Sequence, residues 1–355
     1  MNEECETDMI ETWQSQIKAA AASGKKLSIR GSGSKSFLSP QAAGDVIDTR
    51  AHAGIVEYEP SELVIVVRTG TSLAEVEKAM LEAGQMLAFE PPHFGDGATI
   101  GGTVATGLSG PRRPYAGPTR DFILGCKVLD GKGDHLSFGG KVMKNVAGFD
   151  VSRLIAGSMG TLGVITEVAF KCLPIAKAQQ TRVFEMAADA AIVAMNRWYA
   201  EANPITATVW LQGKLYVRLA GAAPAVASSA AKLGGEVLAD DAAWWRSWRE
   251  QTHSFFSGDG PLIRVACKTT APWGDFANNQ DAQAIDWGGA QRWVRTQSIA
   301  LPAIREWARA EGGHASVFRG DATEAERTCA PQAALLDVSQ KIKASFDPYN
   351  VFPRM

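Results

Sequence analysis

A short segment with the chemistry to bind an anion lies at residues 30–36 and reads Arg-Gly-Ser-Gly-Ser-Lys-Ser. Its backbone N–H groups and hydroxyls can point at a phosphate, and Lys35 adds a positive charge. It is not a Walker A loop, because Ser34 stands where glycine must precede the lysine. It is not a dinucleotide-binding fingerprint, because Ser36 occupies the place of the third glycine. Taken alone, the segment is equally compatible with a surface turn.

Two further glycine-rich segments have residue types that suit a flat or charged ligand. Residues 90–107 begin with paired prolines, and Gly101-Gly102 removes side chains where a ligand would press on the backbone. Residues 157–166 have three glycines at a spacing of three before a predicted strand, which offers main-chain donors to the edge of a ligand. A tight turn in the core is the alternative for the segment at 90–107. Three such segments in order are stronger evidence than any one of them.

The distribution of glycine supports a wrapped ligand in this part of the chain. There are 35 glycines, and 16 of them lie between Gly95 and Gly163. Ordinary helices and strands do not need that density, whereas a backbone with positive φ angles or a close approach to a ligand does. No every-third-residue period exists, so a collagen-like fold is excluded.

The elements that must position these segments mix strands and helices. Ser72 with Glu75 predicts a capping box for a helix that runs to about Ala83, and Asp130-Gly131 predicts a hairpin turn. Strands are predicted over 26–30, 63–68, 122–129, 136–138, 163–173, 207–212 and 215–219, and helices over 150–156, 222–233 and 299–312. No regular strand–helix–strand repeat is visible, so the pattern predicts an α+β fold rather than a doubly wound sheet.

The tryptophans divide the chain in two. Of ten tryptophans, only Trp13 precedes Trp198, and the other nine lie between Trp198 and Trp307, outside the glycine-dense region. A length of 355 residues also favours two domains. We therefore predict one domain over residues 1–176 and a second, also α+β, over residues 177–355. Most tryptophans of the second domain are expected in its core, with a docking surface as the alternative.

Composition excludes several classes of protein. The 36 basic and 38 acidic residues give a net charge of −2, which disfavours a nucleic-acid binder. No apolar run is long enough for a transmembrane helix, and the acidic, polar residues 1–8 do not resemble a signal peptide. The five cysteines are scattered without a Cys-x-x-Cys pair. We therefore expect no metal site in this chain and a cytoplasmic location.

Taken together, the three glycine-rich segments resemble the FAD-binding domain of the vanillyl-alcohol oxidase family, which includes cytochrome-linked D-lactate dehydrogenases. The resemblance covers about residues 26–175. It implies an α+β fold in which a two-subdomain FAD-binding domain of the vanillyl-alcohol oxidase (PCMH) type precedes an α+β cap domain. In that family the first segment holds the FAD pyrophosphate, the second lines the cofactor, and the third flanks the isoalloxazine ring.

A closer resemblance extends over both halves of the chain, to the smaller FAD-binding subunit of bacterial glycolate oxidase (glycolate dehydrogenase). It is carried by residues 34–38, 84–87, 90–93, 110–114, 141–148 and 285–290. Residues 347–355 resemble the usual C-terminal ending of the family, although Phe-Pro-Arg here departs from its Asn-Pro-Gly-Arg. That ending implies a C-terminal segment that returns towards the FAD domain.

The resemblance implies FAD bound without a covalent link, because the first segment contains no histidine or cysteine. The cofactor-binding residues that it implies are Arg30, Gly31, Ser32, Gly33, Ser34, Lys35, Ser36, Pro91, Asp96, Gly97, Thr99, Ile100, Gly101, Gly102, Ala105, Thr106, Gly107, Arg112, Asp121, Gly157, Gly160, Thr161, Gly163, Val164 and Ile165. Arg112, Arg113, Arg120 and Lys144 are candidates to neutralise the FAD phosphates or a substrate carboxylate. A solvated basic surface is the alternative for each of these four.

The resembling complex oxidises glycolate to glyoxylate with two related flavoprotein subunits and an iron–sulfur subunit. A flavin takes the α-hydride of a 2-hydroxy acid while a base removes the hydroxyl proton. The metal-binding histidine motifs of the catalytic relatives are missing from this sequence. Catalytic residues therefore stay open, with Lys144 and His314 as candidates and a structural histidine as the alternative for His314.

The function that the resemblance implies is an FAD-binding subunit of a multi-subunit 2-hydroxy-acid dehydrogenase. Its expected partners are a larger FAD-binding subunit, an iron–sulfur subunit and a small 2-hydroxy-acid substrate, with membrane contact only through the complex. Two alternatives remain open: a self-sufficient FAD-dependent 2-hydroxy-acid dehydrogenase, and a non-catalytic assembly subunit with a vestigial flavin site.

Overall fold

The computed structural model describes residues 3–38, 44–141, 150–274, 283–295, 301–329 and 333–354. The chain divides into two compact units. Unit 1 comprises Met1–Ser109, Gly117–Ile175 and Pro331–Met355, and unit 2 comprises Gly110–Ala116 and Ala176–Ala330. These units depart from the ranges 1–176 and 177–355 in two stretches and at one boundary residue, since 110–116 and Ala176 belong to unit 2 and 331–355 belongs to unit 1.

The described elements mix helices and strands, as predicted for an α+β fold. The helices are α1 (Glu3–Ser23), α2 (Leu73–Glu82), α3 (Ile100–Thr106), α4 (Arg113–Ala116), α5 (Val151–Ile155), α6 (Ala188–Ala200), α7 (Ala223–Leu233), α8 (Asp241–Arg249), α9 (Leu301–Ala310), α10 (Glu324–Arg327) and α11 (Ala333–Phe346). The strands are β1 (Leu27–Arg30), β2 (Asp45–Asp48), β3 (Ile55–Glu59), β4 (Val64–Arg68), β5 (Gln85–Met86), β6 (Ile123–Leu129), β7 (His135–Gly139), β8 (Val164–Lys171), β9 (Leu173–Pro174), β10 (Ala178–Glu185), β11 (Ile205–Leu211), β12 (Lys214–Gly221), β13 (Glu236–Val237), β14 (Leu262–Ala266), β15 (Gln283–Asp286), β16 (Gln291–Arg295) and β17 (His314–Arg319). Among the described residues, no helix combines the length and the hydropathy that crossing a membrane requires.

Unit 1 is built on a five-stranded antiparallel sheet with the strand order β3-β4-β8-β6-β7. A separate pair, β1-β2, is parallel and leads directly into the first glycine-rich segment. Trp13 and Ile17 of α1 pack on Leu27 of β1 and on Phe352 near the end of the chain. This cluster fixes the strand from which the first glycine-rich segment begins.

Local side-chain hydrogen bonds explain where several unit 1 elements begin. The Ser72 hydroxyl accepts a hydrogen bond of 3.1 Å from the backbone N–H of Glu75, which confirms the predicted start of α2. In the β6–β7 hairpin, Asp130 Oδ1 accepts hydrogen bonds of 2.9 Å from the N–H groups of Lys132 and Asp134. An aspartate that binds the backbone ahead of it stabilises a turn, so the predicted hairpin is confirmed with its cause.

The glycine pair at 101–102 lies inside a helix, α3, that the sequence did not predict. Thr99 caps its start by accepting a hydrogen bond from the N–H of Gly102, and Gly107 ends it with a φ of 60°. A Cβ at position 101 would lie 2.9 Å from Cβ of Thr69. Close packing against Thr69 therefore requires glycine here, at the expense of intrinsic helix propensity.

Unit 2 is built on an eight-stranded antiparallel sheet with the order β13-β10-β12-β11-β15-β16-β14-β17. Helices α6 and α7 pack on it in one apolar cluster, and α9 packs in another. None of the nine tryptophans between Trp198 and Trp307 is exposed, since six are buried and three are partly buried. The prediction that most of them fill the core is confirmed.

The segment after α11 is held to unit 1 by a buried ion pair. Lys343 Nζ lies 2.6 Å from Asp347 Oδ2 and donates a hydrogen bond of 2.7 Å to the carbonyl oxygen of Thr161. The Asp347 carboxylate in turn accepts hydrogen bonds from the N–H groups of Val351 (2.8 Å) and Phe352 (2.9 Å). One ion pair therefore joins the last residues of the chain to the third glycine-rich segment.

Candidate functional site

Unit 1 contains a cavity of about 430 Å³, a volume within the usual range for ligand sites. The residues around it come from β1 and the first glycine-rich segment, the region of β2, α3 with its cap, the third glycine-rich segment and the C-terminal segment. They are Ser28, Ile29, Arg30, Gly31, Ser32, Gly33, Ser34, Lys35, Ser36, Gly44, Val46, Thr99, Gly102, Ala105, Thr106, Met159, Gly160 and Pro353. The structure thus brings parts of all three predicted segments to one cavity.

Two glycines give the first segment its path along this cavity. A Cβ at position 31 would overlap Oγ1 of Thr99, so only glycine lets the segment approach the start of α3. Gly33 has a φ of 81°, a value that favours glycine, and the Arg30 guanidinium lies beside it. Lys35 is 7% exposed, and its Nζ donates a hydrogen bond of 3.3 Å to the carbonyl oxygen of His93. The backbone of this segment is thus tightly constrained.

The charges around the cavity suit an anionic ligand. Arg30 and Lys35 contribute positive charge, serine and threonine side chains contribute hydroxyl donors, and none of the described lining residues is an aspartate or glutamate. Ile29, Val46 and Met159 add apolar surface to the same cavity. A ligand with a pyrophosphate and flat aromatic rings needs this combination of donors, cations and apolar walls. The residues present therefore fit FAD.

Twelve of the residues predicted to bind the cofactor line this cavity. They are Arg30, Gly31, Ser32, Gly33, Ser34, Lys35, Ser36, Thr99, Gly102, Ala105, Thr106 and Gly160. Their contact with FAD stays a prediction, but the structure shows that they share one site.

The remaining predicted residues of unit 1 are not among the residues that line the cavity. They are Pro91, Asp96, Gly97, Ile100, Gly101, Gly107, Asp121, Gly157, Thr161, Gly163, Val164 and Ile165. Several have a packing role within unit 1: Ile100 is fully buried, Gly107 ends α3, and a Cβ at position 163 would overlap the carbonyl oxygen of Leu129. Their proposed contacts with the cofactor stay predictions.

Arg120 lies in unit 1 but is not among the residues that line the cavity. The other named candidates lie outside unit 1 or outside the described residues. Arg112, Arg113 and His314 belong to unit 2. His314 begins β17, where partial burial and the positive charge of Arg264 lower the pKa of its imidazole. Lys144 lies outside the described residues.

Sequence reasoning missed several lining residues, namely Ser28, Ile29, Gly44, Val46, Met159 and Pro353. Ser28 and Ile29 precede Arg30 in a predicted strand, so their place beside the segment was available from the sequence. Pro353 belongs to the C-terminal ending that resembles the family, but nothing local indicates which surface it contacts. Val46 depends on the pairing of β1 with β2, which joins parts of the chain that share no sequence signal.

Comparisons with known proteins agree with this geometry. A family described as "FAD binding domain" matches residues 7–139. The chain is 42% identical over 348 residues to "Glycolate oxidase subunit GlcE" of Escherichia coli (strain K12), which covers 98% of this chain and 97% of that protein. "Glycolate oxidase subunit GlcD" of Bacillus subtilis (strain 168) is 32% identical over 142 residues, 40% of this chain and 30% of its own length.

More distant matches extend over one part of the chain or show the fold alone. "D-lactate dehydrogenase [cytochrome], mitochondrial" of Arabidopsis thaliana is 33% identical over 160 residues, which are 44% of this chain and 28% of that protein. A solved structure of alkyldihydroxyacetonephosphate synthase matches with a TM-score of 0.64 at 16% identity and covers 95% of this chain and 73% of its own. That structural match supports the predicted fold class.

Proposed function

The chain belongs to the glycolate oxidase subunit GlcE family of FAD-dependent oxidoreductases, and from this premise we propose that it is the FAD-binding subunit of a multi-subunit dehydrogenase. The complex oxidises glycolate to glyoxylate, and electrons leave this subunit through a partner that carries iron–sulfur clusters. The observation that carries the proposal is the unit 1 cavity, in which three glycine-rich segments meet without a carboxylate among the described lining residues.

Residues of this chain hold and orient the cofactor in the proposal. Arg30 and Lys35 neutralise pyrophosphate charge, and hydrogen bonds to its oxygens come from the backbone N–H groups of residues 31–33 and 35 and from the serine hydroxyls of this segment. Ile29, Val46 and Met159 exclude water from the flat rings. When bound, FAD supplies the two-electron acceptor for the α-hydride of a 2-hydroxy acid, while the hydroxyl proton leaves to a base. His314 remains a candidate base because its lowered pKa keeps it neutral near pH 7.

We propose that FAD is bound non-covalently. Covalent flavin links use a histidine, cysteine or tyrosine side chain, and none of the described residues around the cavity is of these types. Denaturation should therefore release the flavin into the supernatant. Flavin that stays with the precipitated chain would contradict this part of the proposal.

The proposed partners are a larger FAD-binding subunit and an iron–sulfur subunit. One relative is named as a subunit of glycolate oxidase over almost the whole chain, and GlcD, named as another, matches part of it. The scattered cysteines of this chain leave cluster binding to a partner. We propose a cytoplasmic location, with membrane contact only through the complex.

The test is purification of this chain alone and together with its partner subunits. The chain alone should be yellow and should reduce dye only weakly with glycolate until the partners are added. Strong glycolate oxidation by the chain alone would support a self-sufficient dehydrogenase instead. A complex that assembles normally around a chain without flavin would support a non-catalytic assembly subunit.

A matched pair of variants connects this test to the cavity. Lys35→Met removes a charge at the cavity and should lower flavin content, because the pyrophosphate loses a neutralising cation. Lys25→Met removes the same charge from an exposed position after α1 and should leave flavin content unchanged. Equal flavin content in the two variants would remove Lys35 from the proposed site.

A further inference from the structure

In unit 2, the indole of Trp287 lies against two guanidinium groups. The Cζ atom of Arg113, on α4, is 4.2 Å from the ring centroid, and that of Arg264, on β14, is 4.9 Å away. The indole itself is 6% exposed, and its Nε1 donates a hydrogen bond of 3.1 Å to the carbonyl oxygen of Gly110. Trp287 is therefore a fixed platform on which both arginines are placed.

The backbone of Trp287 is strained in this position. Trp287 has a φ of 53°, a left-handed conformation that is rare for a bulky aromatic residue and is unfavourable for its backbone. The Trp287 N–H donates to Asp286 Oδ1 at 2.6 Å, and the N–H of Gly288 donates to Thr208 Oγ1 at 3.1 Å. These contacts hold the turn in a conformation that it would not adopt by itself, as is common at binding sites.

The nearest buried carboxylate is already satisfied by neutral donors. Asp286 Oδ2 accepts hydrogen bonds from Trp248 Nε1 at 3.0 Å, Gln291 Nε2 at 3.4 Å and Trp293 Nε1 at 3.5 Å. Burial raises the pKa of Asp286 to about 6. The carboxylate makes no direct ion pair with Arg264 among the described residues.

Arg264 keeps most of its hydrogen-bonding capacity. Within the described parts of the chain, its hydrogen bond is the one from Nε to Oε1 of Gln291, at 2.7 Å. The four N–H bonds of Nη1 and Nη2 accordingly have no acceptor in that part of the chain. Burial, together with the positive charge of Arg113, lowers the pKa of Arg264 to about 10, so the group stays charged. A charged, half-buried guanidinium is stabilised when an anionic ligand accepts hydrogen bonds from its Nη1 and Nη2 groups.

We propose that Arg264, with Arg113 beside it on Trp287, forms a site in unit 2 that binds the carboxylate group of a small organic acid. The two coplanar oxygens of a carboxylate match the fork of a guanidinium, which a lysine ammonium does not offer. The choice of glycolate as a probe rests on the proposed function, whereas the site itself rests on the geometry of unit 2. This chain would then contact an acid substrate as well as the cofactor.

The test is calorimetric titration of the purified full-length chain with oxalate, which cannot undergo the proposed oxidation, and with glycolate and inorganic phosphate. Both carboxylic acids should bind, and phosphate should bind more weakly. Arg264→Gln should weaken oxalate binding at least tenfold. Arg264→Lys should also weaken it, because the ammonium keeps the charge but lacks the fork. Arg246→Gln makes the same charge change at an exposed position on α8 and should stay within twofold of the unchanged chain.

Three results would overturn the proposal: no binding of either acid to the unchanged chain, phosphate binding as tightly as oxalate, or unchanged oxalate affinity in both Arg264 variants. Arg264→Lys keeps the inference testable if Arg264→Gln does not fold, which the melting curve of each variant reports. Flavin absorbance of the same samples tests the proposed function separately. If the chain binds oxalate but contains no flavin, the carboxylate site is supported and the proposed function is contradicted. If the chain contains flavin but binds neither acid, the proposed function is supported and the carboxylate site is contradicted.

Discussion

The candidate sites of the two units are built from different chemical groups. The cavity of unit 1 is lined largely by backbone, hydroxyls and small residues of residues 28–36 and α3, whereas the unit 2 cluster consists of arginine, aspartate and tryptophan side chains on a sheet. A site made of backbone is sensitive to any added carbon atom. A site made of side chains is sensitive to charge and to the burial that shifts the pKa values of its members. The two units should therefore respond to different perturbations.

The largest expected effect is a loss of stability in unit 1 that leaves unit 2 unchanged. Asp347→Ala should lower the free energy of unfolding of unit 1 by about 3–5 kcal/mol. The substitution leaves the ammonium of Lys343, which is 13% exposed, without its carboxylate and removes the acceptor of two backbone N–H groups. Denaturant titration should be followed by flavin absorbance for unit 1 and by tryptophan fluorescence for unit 2, which holds nine of the ten tryptophans. Flavin loss should move to lower denaturant, and equal shifts of both signals would contradict independent units.

The next effect is a pH dependence that belongs to unit 2. The pKa of Asp286 rises from 3.8 to about 6 in the folded protein. The folded chain therefore binds this proton more tightly than the unfolded chain, and stability falls as pH rises from about 4 to about 6. The difference corresponds to about 3 kcal/mol.

The variant Asp286→Asn should lack that component of the pH dependence. Urea unfolding at pH 4, 5, 6 and 7 should show the stability advantage of the unchanged chain over the variant shrinking by about 3 kcal/mol across this range. The lost hydrogen bonds of the carboxylate add only a constant offset. Parallel stability curves for the two proteins would show that Asp286 keeps an ordinary pKa.

A smaller effect tests the sensitivity of the unit 1 cavity to one methyl group. Gly31→Ala should weaken FAD binding at least tenfold, about 1.4 kcal/mol, because the new Cβ overlaps Oγ1 of Thr99. In a Thr99→Ala background the same substitution should cost less than threefold. Flavin fluorescence titration of the apoprotein measures all four members of this cycle. An equal cost in both backgrounds would show that the clash with Thr99 is not the cause.

The smallest expected effect is that of a control substitution for Asp347→Ala. Lys341 and Asp337 form an ion pair of the same spacing on α11, at 2.7 Å, but their side chains are 74% and 62% exposed. Asp337→Ala should therefore change the free energy of unfolding by at most about 1 kcal/mol. A loss as large as that of Asp347→Ala would mean that helix electrostatics, rather than burial, explains the first result.

The sequence predicted those features that depend on neighbours within a few residues. Ser72 caps α2 through a residue three positions ahead, and Asp130 forms its turn with the next four residues, so the signal and its physical cause lie together. The glycine-rich cavity could be located for the same reason, because the permissive backbone of Gly31 and Gly33 is a property of the residues themselves.

Features that depend on distant partners were not predictable. Helix α3 contains two glycines and depends on packing against Thr69. Residues 110–116 belong to unit 2, where the Gly110 carbonyl accepts a hydrogen bond from Trp287, 177 positions along the chain. Arg264 did leave a signal, a charged residue within an apolar strand, but only the structure shows which groups surround it.

The return of the C-terminal segment to unit 1 also sets an order for biosynthesis. Unit 2 has all of its sequence once residue 330 has been translated, whereas unit 1 still lacks α11, the Lys343–Asp347 pair and the Pro353 wall of the cavity. Although unit 1 begins the chain, it is the last to be completed on the ribosome. The nascent chain should therefore be unable to retain FAD until residues 331–355 have been synthesised, so FAD should bind after unit 2 has been translated.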